Sequence, residues 1–252
     1  MWSAGTEASQ NARASARRSG CFAWETGSEL EPLPHAKQPD RRADAYAFWE
    51  ASRPALHTPA QDYLACRGIV IQPPRCIRYH EGDTALVAAV QAKDGTFAGI
   101  QRVYLTINVS GAFKRSRYSL GPIKGGAVRL TPVAESMQLC ESVEDGLALL
   151  QMTGKPTWAV PGAVFFESFA PPPEVRELVL APDNDAAGHE AIEKTRSGSG
   201  VRTRVLLPPA TADWCDVLAT VDERAGIREF EGGENRETAE TKSWVEAFCD
   251  GD

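Results

Sequence analysis

The sequence predicts an α/β protein: a compact parallel sheet with flanking helices over residues 135–221, preceded by a smaller α+β region over residues 41–134. After Met137, short apolar runs alternate with helical patterns, the grammar of parallel strands joined by crossover helices. Before it, Lys93-Asp94-Gly95 separates two β-rich runs, and Asp-Gly in that setting signals a hairpin. The 252 residues, 42% hydrophobic and 24% charged, suffice to bury a sizeable core. The longest purely aliphatic run, Ala85 to Val90, is far short of the ~20 residues a membrane span needs. The N-terminus has no apolar segment behind its charges, so the expectation is a cytoplasmic protein without a membrane partner.

Residues 1–40, rich in Ala, Ser, Arg, Gly and Pro without apolar periodicity, read as a mobile leader. From Asp44, Ala45, Phe48 and Trp49 give a helical face that Pro54 stops. A second helix has Thr58 as N-cap, Pro59 at its first position, Gln61 at the capping-box spacing and Gly68 after its last turn, with Tyr63 and Leu64 facing the core. Strands are expected over Arg75–Tyr79, Leu86–Gln91, Phe97–Thr106, Tyr118–Leu120 and Ala127–Leu130. The parallel region follows with strand Met137–Cys140, helix Val143–Met152, strand Thr157–Val160 and a short helix near Phe165–Phe169. Strand Leu178–Ala181, helix Ala186–Lys194, strand Arg202–Leu207 and a helix from Trp214 complete it. Residues 222–252 form an acidic tail in which Trp244, Val245 and Phe248 would dock as one amphipathic turn.

Charge is unevenly distributed. The tail holds ten acidic and four basic residues, −6 of the net −7. Thr96 to Ala134 contains no Asp or Glu, yet carries Arg102, Lys114, Arg115, Arg117, Lys124 and Arg129, a candidate polyanion surface. The alternative is a solvated sheet face with counter-charges supplied from elsewhere in the fold. The six cysteines form no CxxC pair and the four histidines are dispersed, so no zinc ribbon or thioredoxin-like redox site is written here.

In open parallel sheets, ligands bind beyond the carboxyl ends of the strands. Here those positions are acidic: Glu141 and Glu144 after the first strand, Asp183 and Asp185 after the third, Asp213 and Asp216 after the last. Such clusters repel one another unless a cation sits among them. Oxygen ligands favour Mg²⁺ or Mn²⁺, which shares its shell with water and phosphate oxygens. A capping role competes with this reading, because Asp185, Glu141 and Asp213 all sit where helix caps belong.

Glu141-Ser-Val-Glu-Asp-Gly, Asp183-Asn-Asp-Ala-Ala-Gly and Asp213-Trp-Cys-Asp resemble the Toprim domain shared by DnaG-type primases, topoisomerases and some nucleases. Upstream, Thr58-Pro59, Tyr63-Leu64, Arg67-Gly68-Ile69 and the run Gly99 to Leu105 resemble the region preceding Toprim in bacterial, phage and plasmid primase-like proteins. The chain departs from the pattern at Ser142, where Gly is common, at Asp145, where Thr is frequent, and at Ala212, where a basic residue is frequent. No Cys/His ligand set occurs in the leader, so the zinc module of many primases is not expected.

The resemblance implies a primase-like nucleotidyltransferase making short primers from NTPs on a single-stranded DNA template, with a replicative helicase as a candidate partner. It implies Glu141, Asp183 and Asp185 as catalytic residues, and the same three with Asp213 and Asp216 as Mg²⁺ or Mn²⁺ ligands. Glu141 would be general base or metal ligand, and Glu144 would act behind it. Arg102, Lys114, Arg115 and Arg117 would bind template or nucleotide, and Tyr104 and Tyr118 are candidates for base stacking, with a core role preferred for Tyr104. A Toprim nuclease and a non-catalytic replication accessory protein are the alternatives.

Overall fold

The structure, a computed structural model, describes residues 40–107, 113–162, 166–210 and 212–249, all within one unit, Asp40–Asp252. The expected leader therefore lies outside the described residues except for Asp40, as does the start of the short helix expected near Phe165–Phe169.

Helix α1 (Arg42–Glu50) begins slightly before the expected apolar face. The short strand β1 (Arg53–Pro54) has no counterpart in the sequence pattern. Helix α2 (Pro59–Cys66) is capped by Thr58, whose hydroxyl accepts the Ala60 N–H at 3.2 Å. Gln61 differs from the capping-box expectation: its Oε1 accepts the His57 N–H at 2.6 Å. At the other end Gly68 takes φ +78°, the left-handed region glycine tolerates, and the Ile69 N–H returns to the Leu64 carbonyl at 3.0 Å.

Strands β2 (Ile77–His80), β3 (Ala85–Gln91), β4 (Phe97–Ile107) and β5 (Phe113–Leu120) form an antiparallel sheet with β1, in chain order. The Asp-Gly signal is realised: Ala92 N–H bonds the Thr96 carbonyl and Gly95 has φ +85°. The sheet has two apolar faces, which explains the unbroken Ala85–Val90 run. Ala85, Val87, Ala89 and Ile100 pack beneath Ala45 and Trp49 of α1. Leu86, Ala88, Val90, Val103 and Leu105 join Tyr63 and Leu64 on the opposite side.

A second five-stranded sheet contains β6 (Val128–Arg129), β7 (Ser136–Cys140), β8 (Thr157–Ala159), β9 (Glu177–Ala181) and β10 (Arg202–Val205) in the order β10-β9-β7-β8-β6. Its strands are parallel except β6. Helix α3 (Val143–Thr153) follows β7, α4 (Ala186–Gly198) follows β9, and α5 (Trp214–Phe230) follows β10. One face packs Met137, Leu139, Leu178 and Leu180 against Ala191 and Ile192 of α4. On the other, α3 and α5 share a core with α2 and the first sheet. Gly146 permits the close approach of α3, since a Cβ there would lie 2.6 Å from Leu130 Cδ1 and 2.9 Å from Cys140 Sγ. The acidic tail is more ordered than one docking turn: α5 runs through residue 221, and α6 (Arg236–Cys249) packs back on it. Trp244 is half-buried there, while the side chains of Val245 and Phe248 lie outside the described ones. Among the described residues no helix is long and apolar enough to cross a membrane.

Candidate metal centre at the strand ends

Strands β7 and β9 are hydrogen-bonded neighbours, with Cys140 opposite Ala181, so the residues that follow them emerge side by side. Glu141 Oε1 accepts the Asp183 N–H at 3.3 Å. The third junction reaches the same place through Trp214. This fully buried indole donates to the Ala181 carbonyl at 3.0 Å, and its backbone N–H donates to Asp145 Oδ1 at 3.2 Å. Asp213 is thereby held beside Asp145. Ligand atoms of Asp145, Asp213 and Cys215 all lie within 4.8 Å of one another.

The electrostatics follow from this convergence. Burial, reinforced by the charges of Asp183, Asp185 and Asp145, pushes the Glu141 carboxyl up to about 7. Burial also pushes Asp145 up to about 7, against the hydrogen bond from Ser142 and with the charges of Asp183 and Asp213. Burial and the charge of Asp145 raise the Cys215 thiol above its ordinary range, against the nearby Arg67. The remaining donors are carboxylate oxygens, a set that suits a hard divalent cation.

Several acidic residues also have local duties. Ser142 caps α3 by accepting the Asp145 N–H at 3.1 Å, and its hydroxyl donates to Asp145 Oδ2. Asp185 caps α4 through the Gly188 N–H at 2.7 Å. Asp213 Oδ1 accepts the Asp216 N–H at 2.9 Å and its Oδ2 receives Arg67 at 2.5 Å. Asp216 is exposed, and its Oδ2 accepts the Asp213 N–H at 3.1 Å, completing a capping box. Capping and convergence thus coexist at Asp185 and Asp213, whereas Asp216 makes the contacts of a cap. Gly188 is required sterically: a Cβ there would lie 2.1 Å from the Asp183 carbonyl oxygen. His189 is exposed and bonds Asn184 Oδ1 at 2.9 Å.

Glu144 sits apart from the strand-end carboxylates in its bonding. It is 1% exposed, and its Oε1 accepts both the Tyr63 hydroxyl at 2.8 Å and Arg117 at 3.0 Å. Burial would raise its pKa, but Arg117 and Tyr63 outweigh that and hold it below the usual range. Arg117, expected to meet phosphate, is instead engaged by this carboxylate. The four expected phosphate ligands do not share one face. Arg102 pairs in register with Tyr118 and Arg117 with Val103, and adjacent strand positions alternate sides. Lys114 and Arg115 are adjacent on β5; their side chains lie outside the described ones.

Sequence reasoning misses Asp145, Arg67 and Trp214. In the sequence Asp145 stands out only as a departure from the family pattern, although its place in the first turn of α3 puts it beside Ser142. Arg67 stands in the sequence only within the Arg67-Gly68-Ile69 resemblance, and nothing there points to its partner, 146 positions away.

Residues 136–222 match the family described as Toprim domain, and residues 39–130 match a domain of unknown function, DUF7146. The Toprim match spans the carboxylate-bearing sheet and the helices that follow its strands. Among solved structures, the chain is similar to a DNA primase domain from Pseudomonas aeruginosa, with 16% identity, a TM-score of 0.47 and coverage of 75% of this chain and 78% of that one. A primase from Aquifex aeolicus comprising zinc-binding and RNA polymerase domains gives 13% identity, a TM-score of 0.47 and coverage of 89% and 72%. The primase fragment of the bacteriophage T7 primase-helicase gives 16%, 0.41, and 66% of each chain. No curated protein sequence matches.

Proposed function

We propose that the protein is a primase-like nucleotidyltransferase that synthesises short primers on single-stranded DNA from NTPs. The observation that carries this reading is the meeting of Glu141 and Asp183 at the ends of adjacent parallel strands, with Asp145 and Asp213 brought alongside. Glu141, Asp183 and Asp185 are the proposed catalytic carboxylates; Asp145 and Asp213 complete the donor set, with Asp216 as the further expected ligand. Bound there, Mg²⁺ or Mn²⁺ supplies charge neutralisation and Lewis acidity for phosphoryl transfer.

The chain's own residues supply the rest. Glu141, whose Oε1 lies at the Asp183 N–H, is the carboxylate proposed to accept the proton of an attacking 3′-hydroxyl. Arg67 and Trp214 position Asp213, while Ser142 positions Asp145. The antiparallel sheet joined to this centre supplies cationic residues for the template.

The test is incorporation of labelled NTPs on single-stranded DNA with Mg²⁺ or Mn²⁺, comparing wild type with Asp183→Asn and Glu141→Gln. Products a few nucleotides long, lost in both variants, support the proposal. Absence of products in wild type overturns it: a shortened template then indicates a Toprim nuclease, and an intact one an accessory protein. A replicative helicase is the proposed partner, testable by stimulation of primer yield.

A further inference from the structure

Away from the strand ends, helices α5 and α6 enclose a cavity of about 230 Å³ against α3. Its inner wall is apolar: Leu218 and Val221 of α5 are buried, and Met152 of α3 and Trp244 of α6 pack, partly buried, on the same core. Its mouth is acidic, with Asp222 of α5 and Glu237 and Glu240 of α6 all exposed. Carboxylates from two helices therefore flank a hydrophobic slot. Gln151 also lines it, but its amide is engaged with the backbone of Gly68, Val70 and Ile71.

The charges at this mouth are not balanced. Arg236 pairs with Asp222, with Glu240 at 2.5 Å and with Glu229 at 3.5 Å, so one guanidinium serves three carboxylates. Glu237 has no ion-pair partner among the described residues. Its place in the first turn of α6 suits a carboxylate through the helix amides, yet that interaction leaves its charge uncompensated. The other cations of these helices are committed elsewhere: Arg228 and Lys242 pair with Glu246 and Glu234, and Arg224 acts on Glu246. Around the slot, carboxylates outnumber the cation that serves them.

We infer that the slot between α3, α5 and α6 binds a linear aliphatic polyamine. The methylene chain lies on Met152, Leu218, Val221 and Trp244, where burying it removes apolar surface from water on both sides. One ammonium end meets Asp222 of α5, and the other meets Glu237 and Glu240 of α6. Trp244 adds the attraction of an indole face for a cation. Size agrees with a slender chain: the cavity is smaller than the roughly 300–1,000 Å³ of pockets for drug-sized ligands. A small metal ion would leave the apolar wall unused, and an uncharged chain would leave the carboxylates unused. A bound polyamine ties α6 to α5 and touches none of the strand-end carboxylates, so this inference does not rest on the proposed function.

The test is isothermal titration calorimetry of the full chain with spermidine, at fixed ionic strength, in EDTA and without nucleic acid. Saturable binding is expected. Thr241→Trp, at an exposed position of α6 that lines the slot, fills it and abolishes binding. Glu237→Lys also abolishes it, which covers the case in which Thr241→Trp fails to fold. Glu237→Gln weakens binding by roughly 2- to 5-fold, the range of one exposed ion pair. Glu223→Gln, on α5 outside the slot, binds as wild type, which separates the site from a diffuse acidic surface. Butylamine, with one ammonium, and hexanediol, with none, bind more weakly than spermidine. No saturable binding, or wild-type affinity in folded Thr241→Trp or in Glu237→Lys, would overturn the inference. So would butylamine binding as tightly as spermidine, which would assign the slot to a single cationic side chain of a partner protein, or hexanediol doing so, which would leave only an apolar cavity. Thermal melting of each variant without ligand establishes the fold against which the affinities are read.

Discussion

Arg117 of β5 and Glu144 of α3 form a 3.0 Å ion pair that ties the antiparallel sheet to the Toprim domain. Glu144 is 1% exposed, and the Tyr63 hydroxyl from α2 binds the same carboxylate oxygen, so three elements meet on one atom. Glu144 lies between Glu141 and Asp145 along the chain; the pair therefore fixes the first turn of the helix that bears the acidic centre. The Arg117 side chain is 37% exposed, so the pair is buried on the Glu144 side only; removing Arg117 leaves that carboxylate desolvated and short of its cation, at a cost of about 1–3 kcal/mol. Arg117→Ala is expected to lower the urea-unfolding free energy by that order. Combining Glu144→Gln with Arg117→Met recovers most of it, because neither product is charged. Equal destabilisation in the single and double variants would show that the pair is not the source.

The acidic centre predicts an unusual pH profile for the metal-free protein. Glu141 and Asp145 are raised from ordinary values of 4.5 and 3.8 to about 7. The folded state therefore retains protons that the unfolded chain has already released between these values. Stability contributed by these groups is present below pH 4 and falls as pH rises towards 7. In EDTA the melting temperature should decline across that window, and Mg²⁺ should restore it more at pH 8 than at pH 5. A melting temperature that Mg²⁺ leaves unchanged at pH 8 would remove the support for a cation at this centre.

Gly188 supplies a test of the turn between β9 and α4. A methyl group there would sit 2.1 Å from the Asp183 carbonyl oxygen, so Gly188→Ala must displace the backbone that carries Asp183. Gly198, at the other end of the same helix, has nothing within 4 Å of the position a methyl group would take. Gly198→Ala is expected to be neutral or stabilising by about 0.5–1 kcal/mol, since alanine restricts the unfolded chain. Gly188→Ala should lose the Mg²⁺-dependent rise in melting temperature while Gly198→Ala keeps it.

The sequence is most legible where one local signal suffices. Thr58-Pro59, Lys93-Asp94-Gly95 and the strand-to-helix junctions at Glu141 and Asp183 each encode their geometry within a few residues, and each forms near the expected position. Two kinds of feature are hidden. Side-chain pairs that cross the core leave no periodic trace, so the partners of Arg67 and Glu144 emerge only from the packed helices. Charge clustering along the chain also differs from clustering in space: strand alternation divides Arg102 from Arg117, and burial pairs one of them with a carboxylate. The acidic tail reads as a partly helical or disordered extension, and which of the two it is depends on pairs distant in sequence: Arg236 with Asp222 and Glu229 stitches α6 to α5.

Arg67 yields the last prediction. It reaches Asp213 across 146 positions at 2.5 Å, and both side chains are about one-quarter exposed. Its guanidinium takes Asp213 Oδ2 while the Asp216 N–H takes Oδ1, so the carboxylate plane is fixed from two directions. A lysine retains charge but loses the planar fork that defines this orientation. If Asp213 contributes to the metal centre, weakening its support should raise the Mg²⁺ concentration for half-maximal thermal stabilisation by roughly 10- to 100-fold in Arg67→Ala. Arg67→Lys should fall between Arg67→Ala and wild type. A Mg²⁺ midpoint unchanged in Arg67→Ala, with Asp213→Asn equally silent, would assign Asp213 to capping α5 alone and leave Glu141, Asp145 and Asp183 as the donor set.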